Sequence, residues 1–257
     1  MQARDWAVTG PETVLGFWFP ESGHEADAEA HSAFWMHRMR GGADGDIRAG
    51  FAELTEAAAR GLLDHWVDTP RGRLALVIAL DQFPRSVWRE TPAAYAQDIK
   101  AARLVLEALE NGHYDALPNP WEKAFCLIAL VHCEGPEHLD RARRAEVLAQ
   151  ALVAEAPEHL RTTYRVVEDQ QRLAREVVAA FGRHPHRNAV LGRLSTVAEE
   201  AYIAAGKFPH IRDIPADEDG KREMLAARRA RSRCSGPSQC TRAIRQNAFS
   251  QGLGNAS

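Results

Sequence analysis

The sequence predicts an all-α protein built as an antiparallel helical bundle or solenoid. Apolar residues recur with the 3.6-residue period of a helix along most of the chain. No segment shows the apolar–polar alternation, bounded by hairpin turn residues, that is typical of β-strands. The segments between predicted helices are short, which favours antiparallel packing of consecutive helices.

Helix starts are marked clearly. Thr69-Pro70, Thr91-Pro92 and Asn119-Pro120 each place a capping side chain before a proline suited to the first helical turn. Thr196 with Glu199 fits a capping box. Together with the apolar period, these signals predict helices over 11–19, 26–39, 45–66, 70–83, 92–111, 120–134, 138–154, 158–181 and 196–205.

Composition and charge predict one globular domain with an appended tail. The chain has 257 residues, of which 45% are hydrophobic and 26% charged, as in ordinary globular proteins. From Gly220 onward there are eight Lys or Arg residues and one acid, a net charge of +7, so the rest carries −10. We predict a single all-helical domain over 1–210 and a basic, disordered tail over 211–257. The tail is either a weak nucleic-acid-binding arm or a solvated extension.

No targeting or cofactor signal is visible. The first residues lack the apolar core of a signal peptide, and runs such as Leu74 to Leu80 are too short to span a bilayer, which predicts a cytoplasmic protein without membrane contact. The cysteines Cys126, Cys133, Cys234 and Cys240 lack the paired short spacing of a zinc site. A phosphate-binding Gly-rich loop is also missing, so we expect no metal and no cofactor.

Three polar motifs follow apolar helical segments. They are Leu80-Asp81-Gln82-Phe83-Pro84-Arg85, His132-Cys133-Glu134 and His184-Pro185-His186-Arg187-Asn188. A buried ion without a partner costs several kcal/mol, so charges at the ends of core helices need a partner or a function. The motifs are therefore candidates for one shared polar site.

The first motif ends a helix that is apolar nearly all round. Asp81 stands at the C-terminal end, where a carboxylate opposes the helix dipole. Arg85 or Arg187 is expected to compensate it through a bidentate contact. Pro84 is expected to end the helix and to fix the loop that carries Arg85. The motif is either part of a pocket, with Asp81, Gln82 and Arg85 lining it, or a structural salt bridge.

The second motif places His132 and Glu134 at the end of another core helix. A histidine beside a carboxylate is able to form an acid–base pair or to ligate a metal. A histidine at a helix C-terminus is also favoured by the helix dipole alone. Cys133 carries no sign of thiol activation, so a nucleophilic role is not predicted.

The third motif follows Gly182, a natural helix stop. Its imidazole, guanidinium and amide groups are typical of anion recognition, in which arginine holds a carboxylate or phosphate and histidine donates a proton. The alternative is a polar surface loop that caps its helix. The early aromatic residues Phe17, Trp18 and Trp35 are interpreted as packing residues.

These motifs, with Leu15-Gly16-Phe17-Trp18-Phe19 and Leu191-Gly192-Arg193-Leu194-Ser195-Thr196, resemble the Domain of Unknown Function 924 family of bacteria and fungi. The resemblance covers roughly residues 11–208 and excludes the tail. It implies an all-helical fold related to tetratricopeptide repeats and no established activity. The chain departs from the family pattern at Cys133, where members carry serine, which argues against an essential nucleophile there.

The sequence thus favours a pocket between helices that binds a small anionic molecule and catalyses acid–base hydrolysis, lyase chemistry or isomerisation. In this hypothesis an anion is held by arginine, and His132 or His186 transfers a proton while Glu134 or Asp81 orients the imidazole. The candidate catalytic residues are His132, Glu134, His186 and Asp81, and the candidate ligand-binding residues are Gln82, Arg85, Arg187, Asn188 and Arg193.

Two alternatives remain open. A tetratricopeptide-like scaffold would bind peptides, and its polar residues would spread over successive helices. A purely structural interpretation makes the three motifs a buried salt-bridge network, in which a change such as Arg85→Ala costs several kcal/mol.

Overall fold

The computed structural model describes residues 10–206, and the predicted tail over 211–257 lies outside them. The described residues form an all-α fold without strands, as the sequence predicts. Its helices are α1 (Pro11–Trp18), α2 (Ala28–His37), α3 (Asp44–Ala59), α4 (Pro70–Asp81), α5 (Pro84–Val87), α6 (Asp98–Glu110), α7 (Pro120–His132), α8 (His138–Glu155), α9 (Arg161–Phe181) and α10 (Val197–Ala205).

Most predicted helix starts are confirmed by their caps. The Thr69 hydroxyl accepts a hydrogen bond from Gly72 N at 3.0 Å at the start of α4. Asn119 begins α7 with a capping box, and Thr196 does the same for α10. Thr91 does not cap a helix, because its hydroxyl instead donates to the carbonyl of Trp88 at 2.7 Å.

Several predicted helix boundaries are wrong, and local backbone features account for the differences. The helix predicted over 45–66 ends at Ala59, because the chain turns through Gly61, whose φ is +79°. The helix predicted over 92–111 begins only at Asp98, after a 3₁₀ turn from Pro92 to Tyr95. Pro84 does not end α4, which stops at Asp81; it opens the short helix α5, which carries Arg85.

Two helices form the centre of the core. Every residue of α4 from Gly72 to Asp81 and of α7 from Glu122 to His132 is buried. Helix α4 packs against α1, α3, α6 and α7, and α7 packs against α4, α6, α8 and α9. Trp18 of α1 is fully buried against Phe83 and Phe125, so the packing role predicted for it is confirmed.

Consecutive helices from α4 to α9 run antiparallel, apart from the one-turn α5. Arg73 in the first turn of α4 pairs with Glu107 in the last turn of α6 at 2.9 Å. Lys123 near the start of α7 pairs with Glu155 at the end of α8 at 2.6 Å. Helices α4, α7 and α9 therefore share one direction, and their C-terminal ends lie beside the N-terminal ends of α6 and α8. The tetratricopeptide likeness itself stays a prediction.

No helix within residues 10–206 combines the length and the apolar character that crossing a membrane requires.

The centre of α7 should dominate stability. Leu127→Ala removes a fully buried side chain and should lower the free energy of unfolding by about 2–5 kcal/mol, because a cavity remains. Leu173→Ala on α9, where the side chain is 42% exposed, should cost less than about 1 kcal/mol. Urea denaturation measures both. Equal losses for the two variants would contradict the central position of α7.

Candidate functional site

The C-terminal ends of the two central helices meet through a histidine and a carboxylate. His132 Nδ1 lies 2.9 Å from Asp81 Oδ1 and 3.1 Å from Oδ2. The amide nitrogen of Gln82 also donates to Asp81. Asp81 is completely buried at the point where the core helices α4 and α7 end. Residues 51 positions apart in sequence thus form one hydrogen-bonded unit.

Two arginines flank this pair and share a second carboxylate. Arg85 of α5 lies 2.8 Å from Asp98 Oδ1 and 3.5 Å from Asp81 Oδ1. Arg187 donates to Asp98 Oδ2 at 3.0 Å and to the carbonyl of His132 at 2.8 Å. Both guanidinium groups lie over the ring of Tyr95, at 4.9 Å for Arg85 and 4.6 Å for Arg187.

We name Asp81, Gln82, Arg85, Asp98, His132 and Arg187 the helix-end cluster.

Opposing effects set the protonation of the two guanidinium groups. Burial lowers the pKa of Arg85, but the carboxylates of Asp98 and Asp81 outweigh it and leave the pKa above its usual value. Burial also lowers the pKa of Arg187, and here the attraction of Asp98 does not fully offset it. Both groups remain cations near neutral pH, since an arginine starts from a pKa above 12.

A second set of predicted residues forms a neighbouring group. Arg193 binds the Glu134 carboxylate through both terminal nitrogens and donates from Nε to Asn188 Oδ1 at 3.0 Å. Glu134 also accepts the backbone N–H of His184 at 2.9 Å. Burial raises the pKa of Glu134, but the hydrogen bonds from Arg193 and from the backbone of His184, together with the charges of Arg187 and Arg193, leave it below its usual value. Glu134 therefore anchors the loop after α9, while Asp81 is the carboxylate that contacts His132.

The histidines of the third motif occupy different environments. His184 is buried, and its Nε2 donates to the carbonyl of Val131 at 2.8 Å, an acceptor shared with His138 Nε2 at the same distance. Burial is the largest cause that lowers the pKa of both rings, that of His184 well below its usual 6.5. His186 is exposed, with its ring centroid 5.5 Å from that of His184.

The thiol of Cys133 is buried and is not activated. Burial raises the pKa of Cys133, whose thiol donates weakly to the carbonyl of Glu134. Such a thiol stays protonated at neutral pH, in keeping with the absence of an activation signal in the sequence. Within residues 10–206, no three His, Cys, Asp or Glu side chains are grouped so as to hold a metal ion.

Sequence reasoning missed two members of this region, Asp98 and Tyr95. Asp98 begins α6, where an acidic residue has an ordinary explanation in the helix dipole, so nothing local distinguishes it. Charge balance is the signal that indicates a second carboxylate such as Asp98. Two buried arginines need two carboxylates, and Asp81 supplies only one. Tyr95 belongs to the 3₁₀ turn that was predicted as regular helix.

The fold and this arrangement define an all-α protein with ionic and imidazole groups gathered at the ends of its core helices. Residues 14–207 match the family described as bacterial protein of unknown function (DUF924), and the chain belongs to that family. The solved structure of a protein of unknown function from Agrobacterium tumefaciens is similar, with 30% sequence identity and a TM-score of 0.58. That match covers 79% of this chain and 100% of the other. No curated protein matches the chain.

Stability should fall as the pH drops below about 6.5. Histidines that stay neutral in the folded state take up protons on unfolding. For each such histidine, the free energy of unfolding therefore falls by up to about 1.4 kcal/mol for every pH unit below the pKa that the histidine has in the unfolded chain. His184→Gln keeps a donor for the Val131 carbonyl and removes one such group. The slope of unfolding free energy against pH between 7 and 5 should become shallower in this variant.

The exposed His65 provides the matched control. His65→Gln should leave the slope at its wild-type value in the same denaturation series. A slope that is unchanged by His184→Gln would contradict the assignment of His184 as a neutral buried ring.

Proposed function

We propose that this protein binds a small anionic molecule at the helix-end cluster and transfers a proton to or from it through His132. The observation that carries the proposal is the contact of His132 Nδ1 with the buried Asp81 carboxylate, 2.9 Å long and flanked by two guanidinium groups. A carboxylate, an imidazole and paired arginines are the parts from which acid–base sites for anions are commonly built.

The carboxylate determines the chemistry of the ring. Asp81 accepts the Nδ1 proton, which selects the tautomer whose Nε2 carries the basic lone pair. It also stabilises the imidazolium that forms when Nε2 takes up a proton. His132 is the proton-transferring residue in this proposal, and Asp81 positions it.

The arrangement of charge favours an anion as the ligand. The side-chain exposures are 1% for Asp81 and 5% for Asp98, against 10% for Arg85 and 11% for His132, so the carboxylates lie deeper than these two groups. Arg187, at 4%, lies as deep as the carboxylates. Arg187 is buried, and its Nε has no hydrogen-bond partner among the described residues. An acceptor oxygen from a ligand would satisfy this N–H, whose isolation is otherwise costly.

The chemistry that fits is proton transfer at a carbon or oxygen next to an anionic group. Hydrolysis, hydration with its reverse elimination, and isomerisation all require such a step, in which His132 takes a proton and then returns it. Arg85 and Arg187 would hold the carboxylate or phosphate of the substrate, as bidentate donors do. His186, exposed beside this region, is the second candidate for the proton donor.

The placement of polar groups also bears on the alternatives. A peptide-binding scaffold would spread them along successive helices, whereas here they gather where α4, α6 and α7 end or begin. A purely structural network accounts for the ion pairs, but not for an unpartnered Nε on a buried arginine. Stabilisation by a small anion distinguishes the proposed site from a peptide-binding scaffold and from a purely structural network, because it requires a site that binds the anion.

Wild-type protein should be stabilised by small carboxylates or by inorganic phosphate. A ligand present at ten times its Kd raises the free energy of unfolding by about 1.4 kcal/mol. Arg187→Lys keeps the charge beside Asp98 but loses the planar fork and its Nε–H, so the same anion should bind about tenfold more weakly. Thermal denaturation across anion concentrations measures both effects.

The control for that series is Arg172→Lys, which changes an arginine on α9 that is 44% exposed. It should retain the wild-type response. The proposal fails if no anion stabilises the wild type, or if Arg187→Lys and Arg172→Lys respond alike.

His132→Gln should separate binding from chemistry. The amide keeps a donor toward Asp81 but is no base, so stabilisation by the anion should stay within about twofold of wild type, while turnover of the matching substrate should fall at least about a hundredfold. Product formation followed by NMR measures the loss. His186→Ala, assayed in parallel, shows whether the second histidine takes part. Wild-type turnover in both variants would rule out an imidazole acid–base mechanism.

A further inference from the structure

A second candidate site lies away from the helix-end cluster, between α2, α7 and α9. The three helices line a partly open cavity of about 390 Å³, which is within the size range of pockets that hold small molecules. It lies along α7 from Trp121 to Ile128 and along α9 from Thr163 to Gln171. It shares no residue with the helix-end cluster, so the two proposals fail or succeed independently.

Four aromatic residues line this cavity beside six aliphatic ones. Trp35 comes from α2, Trp121 and Phe125 from α7, and Tyr164 from α9. Among the described lining residues, Arg40 alone is charged near neutral pH, and it is exposed at the rim. Apolar walls without an interior charge favour an uncharged occupant, and the four aromatic residues favour a planar one, because ring stacking adds to the burial of apolar surface.

His31 is held neutral in the wall by its neighbours. Its Nε2 accepts the indole N–H of Trp35 at 3.2 Å and lies 3.4 Å from the Tyr164 hydroxyl. Its Nδ1 lies 3.0 Å from Nδ1 of His24 and must carry the proton of that contact. Burial, followed by the repulsion of His24, lowers the pKa of His31 to about 4. The ring therefore adds no charge to the cavity.

Gln171 is the polar group that this packing leaves unsatisfied. The residue is 1% exposed and lines the cavity, and its Oε1 has no hydrogen-bond partner among the described residues. A buried acceptor without a donor costs about 1–3 kcal/mol, so such groups are uncommon without a reason. A donor from a bound molecule would remove this cost.

We infer that the cavity between α2, α7 and α9 binds an uncharged, planar aromatic molecule whose N–H or O–H group donates to Gln171. The aromatic walls supply most of the affinity, and the amide oxygen supplies the selectivity. Compounds that match in shape but lack the donor should bind less well, since they leave Oε1 unpaired.

Two matched pairs of probes test this inference by isothermal titration calorimetry on the full chain. Indole is compared with benzofuran, and phenol with fluorobenzene, because each pair differs chiefly in the hydrogen-bond donor. Indole and phenol should bind about five- to tenfold more tightly than their partners. Failure of both donors to bind wild-type protein, or equal affinity within both pairs, would overturn the inference.

Variants test whether the probes bind in this cavity and contact Gln171. Gln171→Leu removes the acceptor at similar volume and should abolish the preference within each pair, whereas Gln150→Leu on the exposed side of α8 should keep it. Val167→Trp fills the cavity and should abolish binding of all four probes, while Val147→Trp, at a position 63% exposed, should not. A preference that survives Gln171→Leu overturns the role of Gln171.

A measurement on wild-type protein covers the case in which Val167→Trp fails to fold. The chain contains six tryptophans, and their indole N–H groups give separate signals in NMR spectra of labelled protein. Indole should shift the signals of Trp35 and Trp121, which line the cavity. A shift confined to Trp88, which directly follows α5 and its Arg85, would place the probe at the other site and overturn the inference.

Discussion

The two buried helices α4 and α7 run in the same direction, and this direction sets where the polar groups collect. Both are apolar on every side, so polar residues are admitted chiefly at their ends. Since α6 returns between them, their C-termini lie together, and the carboxylate that ends α4 reaches the imidazole that ends α7. The N-termini also lie together, where Arg71 pairs with Glu122 at 2.8 Å. The gathering of distant polar motifs is a consequence of helix direction.

Charge balance then determines how the gathered groups are arranged. Asp98, brought in by the start of α6, lies between Arg85 and Arg187 and keeps two buried guanidinium groups from facing each other unpaired. The Glu134–Arg193 pair holds the loop that carries Arg187, and it thereby helps to keep Arg187 in the helix-end cluster. Removing one of these carboxylates would leave a buried cation without a compensating charge. The carboxylates are therefore as important to the structure as the groups that would touch a ligand.

The cavity arises from a different geometric cause. Helix α2 lies over the junction of α7 and α9, and its large side chains span the space between them without filling it. Trp35 and Tyr164 both approach the same nitrogen of His31, while the Oε1 atom of Gln171 has no hydrogen-bond partner among the described residues. The C-terminal ends of α4 and α7 gather ionic and imidazole groups, whereas the cavity is lined chiefly by uncharged residues, so the two candidate sites would suit different ligands.

The all-α class, most helix limits and the caps at Thr69, Asn119 and Thr196 follow from the sequence, because capping and apolar period are local properties. The sequence also indicates the polar helix ends, because charged residues that directly follow an apolar helical segment are recognised without the tertiary structure. Tertiary structure alone decided that Asp81 faces His132 while Glu134 faces Arg193, and it alone introduced Asp98. These pairings depend on which helix ends become neighbours, and that is set by the packing of whole helices. The cavity walls come from three helices distant in sequence, so no local pattern marks them.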